Sequence, residues 1–478
     1  MTTLLSSLPA GAAGGVGVVI VGEEPEPDDR EPVDMVATVF FDGTGNNRTN
    51  TTLRMEEAKG GYVLVNGQQV KAAGSYENAY SNVAVMQYMH QRENELLEVS
   101  IYVEGIGTTD GGDDDSLGMG FGAGVTGVPA KVTRGIVLLA ESIALLLTQD
   151  PAEKKRLNKL KVNAVGFSRG ATAARHFVAR RTKELFQQYT SLTQSLHVED
   201  SAIEINFVGL FDTVSSYGGE EHTTVAGQVT NNLLHDSFDD DVRELGLAIG
   251  SRAREVVQLA AADEYRKTFA STTIASSVKA GCGLEVRLPG VHSDIGGSYR
   301  EHEVEERNVS AADARSYIQQ QWYTAKQLQP INVFKRWYRG SRALTNQYQF
   351  ISARIMMNRA KDGGRHEPLQ FVAFESGYQQ YAVPGELLPL YELMEAFVAS
   401  RPAPSFGAAQ PGHPPTHNDD YSKYQPATYE LPAAWHWIRN RYLHRSARHG
   451  EWTVEGFTMA GRRVEGVAER QIIQDIDQ

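Results

Sequence analysis

The segment Lys161-Val162-Asn163-Ala164-Val165-Gly166-Phe167-Ser168-Arg169-Gly170-Ala171-Thr172-Ala173-Ala174-Arg175 runs from an apolar, β-branched stretch through Gly-x-Ser-x-Gly into small, helix-forming residues. It reads as a strand, a sharp turn and a helix. Glycines two positions either side of a serine let strand and helix pass closely, and they leave the Ser168 hydroxyl projecting from the turn. The next amide, that of Arg169, then faces the place where an oxyanion would form, and the helix start adds partial positive charge there. The five-residue motif also arises by chance in long chains. A buried strand before Gly166 and an Ala-rich helix after Gly170 are the context that makes it a nucleophile elbow.

Working outward, continuous apolar runs recur at 35–41, Val99–Val103, Ile203–Leu210 and Leu284–Leu288. Such runs suit strands buried on both faces. Val132, Ile136, Leu139, Ile143 and Leu147 follow three- and four-residue steps, which predicts a helix between two of these strands. Alternating strands and helices imply an α/β fold of the α/β-hydrolase-like kind. Its central sheet is mostly parallel, with helices on both faces and a helical cap or insertion region. The unusual motifs fall just after strand runs, where such sheets carry their sites. Residues 1–33 read as an N-terminal tail or linker, 34–300 as the catalytic core and 301–450 as the helical cap or insertion, with helices at 311–327 and 386–400. Residues 451–478 read as a C-terminal hairpin and tail, turning at Ala460-Gly461, and the Pro/Gly-rich stretch 402–418 reads as a loop.

A serine nucleophile needs a base, and the base a carboxylate that orients it. The run 203–210 ends in Phe211-Asp212-Thr213, so Asp212 is expected beside Ser168, although Asp also commonly just closes a turn. The run 284–288 leads into Pro289-Gly290-Val291-His292-Ser293-Asp294, which makes His292 the candidate base. The order Ser, Asp, His is that of α/β-hydrolases. Asp294 competes for the acid role, but on an extended segment it would point away from His292. Among the other histidines, His176 falls within the elbow helix and His413 and His417 lie in the Pro/Gly-rich loop. His444 stays open as a second candidate base.

Composition narrows the partners. Over 478 residues the net charge is −13, which opposes a nucleic-acid partner and broad adsorption to anionic membranes. The one cysteine, Cys282, excludes an internal disulfide framework. Residues 8–22 are small and apolar, yet no Lys or Arg precedes Arg30, so the basic region of an ordinary signal peptide is missing, and no run is long enough for a transmembrane segment. Gly122-Ala-Gly124-Val-Thr-Gly127 matches G-x-G-x-x-G without a strand run before it, and a lid near the site is the better reading. Asp113, Asp114 and Asp115 offer oxygen ligands for calcium. Three adjacent carboxylates cannot all face one ion, so a solvated acidic run is the plainer reading and no cofactor is expected.

Six ordered blocks, FFDGTGNN, YVEGIGT, GFSRGATAAR, FVGLFDTV, AADEYRKTF and LPGVHSDIGGSY, resemble the lipase effectors of bacterial type VI secretion systems from about residue 35 to 300. The resemblance implies a phospholipase of A1 or A2 type with Ser168 as nucleophile, Asp212 as acid and His292 as base. It also implies an oxyanion hole built from Arg169 and from the Asp42-Gly43-Thr44 turn, through the amide of Gly43 or Thr44. Such effectors are made in the bacterial cytoplasm and leave without a signal peptide. They travel with a spike or adaptor protein, act in the target cell's periplasm or at its membrane, and are matched by an immunity protein. The alternatives left open are a soluble carboxylesterase or thioesterase with the same triad, and a spike-bound protein whose hydrolase core is inert.

Overall fold

A computed structural model describes residues 29–180, 202–215, 239–400, 424–446 and 463–475, apart from short interruptions within those spans. Its centre is a seven-stranded sheet of β1 (Glu31–Phe41), β2 (Leu97–Val103), β3 (Lys155–Phe167), β4 (Ile203–Phe211), β5 (Ala253–Ala261), β6 (Gly283–Leu288) and β7 (Ala427–Thr428). The spatial order is β7-β6-β5-β4-β3-β1-β2, and every neighbouring pair is parallel. β2 lies outside β1 while β3 onward runs the other way, so the order reverses between β1 and β3. That reversal opens a crevice at the strands' carboxyl ends, the place where open α/β sheets hold ligands. Register levels those ends: Phe41 pairs with Gly166, Phe167 with Phe211, Phe211 with Leu259 and Ala261 with Leu288.

Both sheet faces are dry. On one face, α2 (Val128–Thr148) buries Val132, Ile136, Leu139, Ile143 and Leu147, the stripe expected from sequence, together with residues of the elbow helix α3 (169–180). The opposite face is covered by α1 (Asn82–Met89), α5 (Gln349–Lys361) and α6 (Leu388–Ala399), with Met86, Phe350, Ile355, Met356 and Leu390 in the second core. A large apolar area leaves water on each side, the main favourable term in folding.

Several local expectations change. β5 was not foreseen, because Arg254, Glu255 and Gln258 break its apolar run. Two of the three are satisfied inside: Glu255 accepts from Arg359 at 2.5 Å, and Gln258 donates to Glu285 at 2.7 Å. Asp212 and His292 therefore follow strands separated by one more than the sequence suggested. Glu31–Val33, read as the end of a linker, already pair with Lys155–Leu157. The region 301–450, read as helical, also holds an antiparallel sheet of Glu303–Ser310, Trp337–Leu344 and Leu328–Pro330 and contributes β7 to the central sheet. Its first helix stops at Gln319, with Gln321 in the left-handed region at φ 63. Residues 402–418 and Ala460-Gly461 lie outside the described residues. Nearby, Arg463–Val464 pairs antiparallel with Val467–Ala468. Among the described residues no helix is long and apolar enough to cross a membrane.

The segment at 472–475 closes onto this core. Ile472–Ile473 pairs in parallel with Ser271–Thr272, and Asp475 meets Arg175 of α3 at 3.0 Å with both side chains fully buried. Removing one partner of a buried ion pair strands the other charge. Asp475→Ala should therefore destabilise the fold by about 3–5 kcal/mol, read as a lower midpoint in urea unfolding.

Candidate active site

Ser168 sits at the end of β3 with left-handed backbone, φ 59. Its N–H donates to the Phe211 carbonyl at 3.0 Å, and its own carbonyl accepts from the Ala171 and Thr172 amides at 3.0 and 3.2 Å, starting α3. The turn needs its glycines. A Cβ on Gly166 would run into the Gly170 carbonyl and the Ala171 backbone, and one on Gly170 into the carbonyls of Phe41 and Asp42 at the end of β1. Strand and helix thus touch backbone to backbone, and Ser168 is only 5% exposed.

The bond from Ser168 to Phe211 brings Asp212 alongside. Asp212 is the second strained residue of the site, at φ 45. Its Oδ2 meets Nδ1 of His292 at 2.6 Å and its Oδ1 accepts from the Ala261 amide at 2.9 Å. His292 starts a short helix, α4 (His292–Gly296), rather than lying on an extended segment. Its ring packs against Phe167 at 4.6 Å and edge-on to Phe269 at 4.8 Å. Phe167 adjoins Ser168, so the hydroxyl and the imidazole share one corner of the sheet. No hydrogen bond joins them in this structure, and such bonds commonly tighten only when substrate binds.

The electrostatics favour a neutral histidine beside an ionised acid. Burial pushes His292 below its ordinary value and outweighs the pull of Asp212. For Asp212 burial opposes the charge, but Arg470, together with His292, overrides it and holds the carboxyl well below the usual carboxylate range. Arg470 was not anticipated from sequence. It donates from Nη1 to Asp212 Oδ1 at 2.6 Å and from Nη2 to Oδ2 at 2.9 Å. Glu264 was likewise missed. Its carboxylate accepts from the His292 amide at 3.3 Å and from the Ser446 hydroxyl at 2.7 Å. Burial opposes its charge too, but Arg266 wins and brings it down to about 2. The signal in sequence was Glu264-Tyr-Arg266 just past β5, an acid and a base beside a strand end.

The turn after β1 narrows the choice of amides. Gly43 N–H donates to Asp42 Oδ1 at 2.7 Å, whereas the Thr44 amide has no intramolecular partner among the described residues. Of the two amides the sequence offered, Gly43 is committed to Asp42 and Thr44 remains. Asp42 itself accepts from Ser81 at 2.5 Å and Tyr102 at 2.6 Å, so it braces the turn. The Arg169 guanidinium crosses the same turn, donating to Thr44 Oγ1 at 2.9 Å and to the Met119 carbonyl, and burial pulls it down to about 10.

The remaining candidates fall elsewhere. Asp294 pairs with His444, Oδ1 to Nδ1 at 2.7 Å, and not with His292. Two positions apart on α4, residues 292 and 294 point in different directions. The second-choice acid and base thus form a buried pair of their own, with the His444 ring stacked on Tyr299 at 3.7 Å. His176, buried on α3, contacts the Leu245 carbonyl at 2.7 Å. Asp114 accepts from Ser75 and Asp115 from Thr126, so these acids staple loops. Among the described residues no three His, Cys, Asp or Glu side chains converge as a metal site. Met119, within the glycine-rich stretch, lies against Gly45 and Gly107 beside the Thr44 turn.

Comparison with known proteins bears on the fold and on part of the chain. A family model described as "T6SS, Phospholipase effector Tle1-like, catalytic domain" matches residues 178–324, a span that holds Asp212 and His292 and begins after Ser168. No curated protein matches the chain. Among solved structures, the Tle1 effector bound to the VgrG spike from the type 6 secretion system is similar over 95% of this chain and 97% of that one, at 18% identity and a TM-score of 0.56. That likeness is one of fold. An uncharacterized protein from Pseudomonas aeruginosa is similar over 77% of this chain and 52% of that one, at 17% identity and a TM-score of 0.44. With the matched catalytic segment and the shared fold together, the chain resembles the phospholipase effectors of type VI secretion.

Proposed function

We propose that this chain is a serine hydrolase that cleaves phospholipid acyl esters, with Ser168, His292 and Asp212 as its triad. The observation that carries the reading is the 2.6 Å bond between His292 Nδ1 and Asp212 Oδ2, one residue past the strand that binds the Ser168 amide. A proton on Nδ1 facing Asp212 leaves Nε2 as the acceptor, which is the tautomer a general base requires. In the first step Ser168 Oγ attacks the ester carbonyl carbon as its proton passes to His292. The carbonyl oxygen becomes an oxyanion facing the Thr44 and Arg169 amides at the start of α3. Collapse breaks the bond to the glycerol oxygen, which takes the proton from His292 and leaves as lysophospholipid. Water then attacks the acyl-enzyme, gives its proton to His292, and releases the fatty acid as Ser168 recovers its hydrogen.

The phospholipid substrate is supported by the family match, and delivery on a secretion spike by the fold shared with an effector solved in that company. The same reading takes the chain as an antibacterial effector acting in the periplasm or at the membrane of a target cell, with an immunity protein in the producer. Soluble esterase activity is the competing outcome, and substrate choice separates the two.

Ser168→Ala should lower release of fatty acid from phosphatidylethanolamine or phosphatidylglycerol vesicles by roughly four to six orders of magnitude while leaving thermal unfolding unchanged. Wild-type release by that variant defeats the reading, and hydrolysis confined to short-chain esters replaces the lipase by an esterase. The pH profile gives a second measurement. His292 is depressed and acts as the free base, so kcat/KM should fall only as pH drops below about 6.5, the value of free histidine. An acid limb above that value contradicts the buried, neutral imidazole.

A further inference from the structure

Arg470 meets Asp212 head on. Its five N–H donors all find acceptors: two on Asp212, two on the Phe269 carbonyl at 2.9 and 3.1 Å, and one on the Ala261 carbonyl at 2.9 Å. Its side chain is 4% exposed and that of Asp212 is fully buried. The residue is delivered by a strap anchored three times just beyond it. Ile472–Ile473 pairs with Ser271–Thr272, Gln474 accepts from Thr273 at 2.8 Å, and Asp475 meets Arg175 at 3.0 Å. A carboxylate that needed only to orient a histidine would be served by backbone amides. Here one amide, from Ala261, is joined by a buried, forked cation that cannot lose its proton.

We propose that Arg470 is a positioning residue for the Asp212–His292 pair. Its fork fixes the plane of the Asp212 carboxylate, and its charge shares that of the acid, so His292 is held in one orientation and attracts a proton less strongly. The proposal rests on the triad reading above. The charged groups around the pair are Arg470 and Arg287 beside Asp212, and Glu264 and Arg266 beside His292; Asp294, on the same helix as His292, is taken up by His444. Glu264 and Arg266 are bonded to each other at 2.9 Å and oppose one another at the imidazole. Among the described residues, Arg470 is therefore the cation that contacts the acid, and Asp212 is the acid it pairs with. Without it, the full charge of Asp212 would face His292, stabilise the imidazolium and delay release of its proton to higher pH.

The test compares the full chain with Arg470→Met, Arg470→Lys and Ser168→Ala, using phosphatidylglycerol vesicles and the pH dependence of labelling by a fluorophosphonate. Arg470→Met should lower kcat by about ten- to a hundredfold with KM within about twofold, because the base is misplaced and not the lipid. Its acid limb, in turnover and in labelling, should move up by about one pH unit. Arg470→Lys keeps the charge but not the fork, so its acid limb should stay near that of the parent while kcat falls. If Arg470→Met folds and its acid limb matches the parent, the proposal is overturned. If Arg470→Met does not fold, Arg470→Lys decides: reduced kcat with an unmoved limb supports the role, and parental kcat overturns it. Ser168→Ala keeps the two readings apart. Should it remain active, the triad itself is wrong; should it be inactive while Arg470→Met behaves like the parent, only the role of Arg470 falls.

Discussion

Gly170 lies against the carbonyls of Phe41 and Asp42, close enough that a side chain there would force β1 and α3 apart. That contact ties the end of β1 to the start of the elbow helix across the point where the strand order reverses. Gly166, pressed on the Gly170 carbonyl and Ala171, supplies the matching closeness on the other side of the turn. Only with both in place can Ser168 take its left-handed backbone and bond to the Phe211 carbonyl. The position of Asp212 and the reach of the Thr44 turn both follow from that bond and that contact. The strain at residues 168 and 212 is stored where a rigid, all-parallel sheet can hold it.

Charge at this corner is organised in layers. Against Phe167, the neighbour of Ser168 in sequence, packs a histidine that burial pushes toward its neutral form, with an acid behind it that an arginine keeps ionised. Glu264 and Arg266 neutralise each other and use the leftover acceptor to fix the His292 backbone. Asp42 does for the opposite wall what Glu264 does here, gathering Gly43, Ser81 and Tyr102 around a buried carboxyl. Buried charges are tolerated because each has a hydrogen-bonding partner, and those partners also remove freedom from the groups they touch.

Much of this was legible in the chain because the relevant signals are local. The elbow, the stripe on α2 and the apolar runs of β1, β3 and β4 depend on neighbours within a few residues. β5 escaped because its buried polar residues, Glu255 and Gln258, have partners on α5 and β6 that no window along the chain contains. Arg470 escaped more completely, since its partner is 258 residues away and its own surroundings read as a C-terminal hairpin and tail. That the Gly43 amide is taken up by the Asp42 side chain is a single side-chain bond, which composition cannot reveal. Periodicity finds elements and strand ends; it does not find contacts between the chain's distant parts.

The strap at 470–475 also bears on the order of assembly. Asp212 and Arg470 are separated by most of the chain, and β7 joins the sheet edge only from residue 427. A nascent polypeptide emerging from the ribosome would expose the serine, the acid and the histidine well before the arginine reaches them. Contacts of such long sequence separation form late and slowly. On the proposed reading, the Asp212–His292 pair of the unfinished chain would be poorly aligned, and full alignment would arrive only once Arg470 and the anchors at 472–475 have docked.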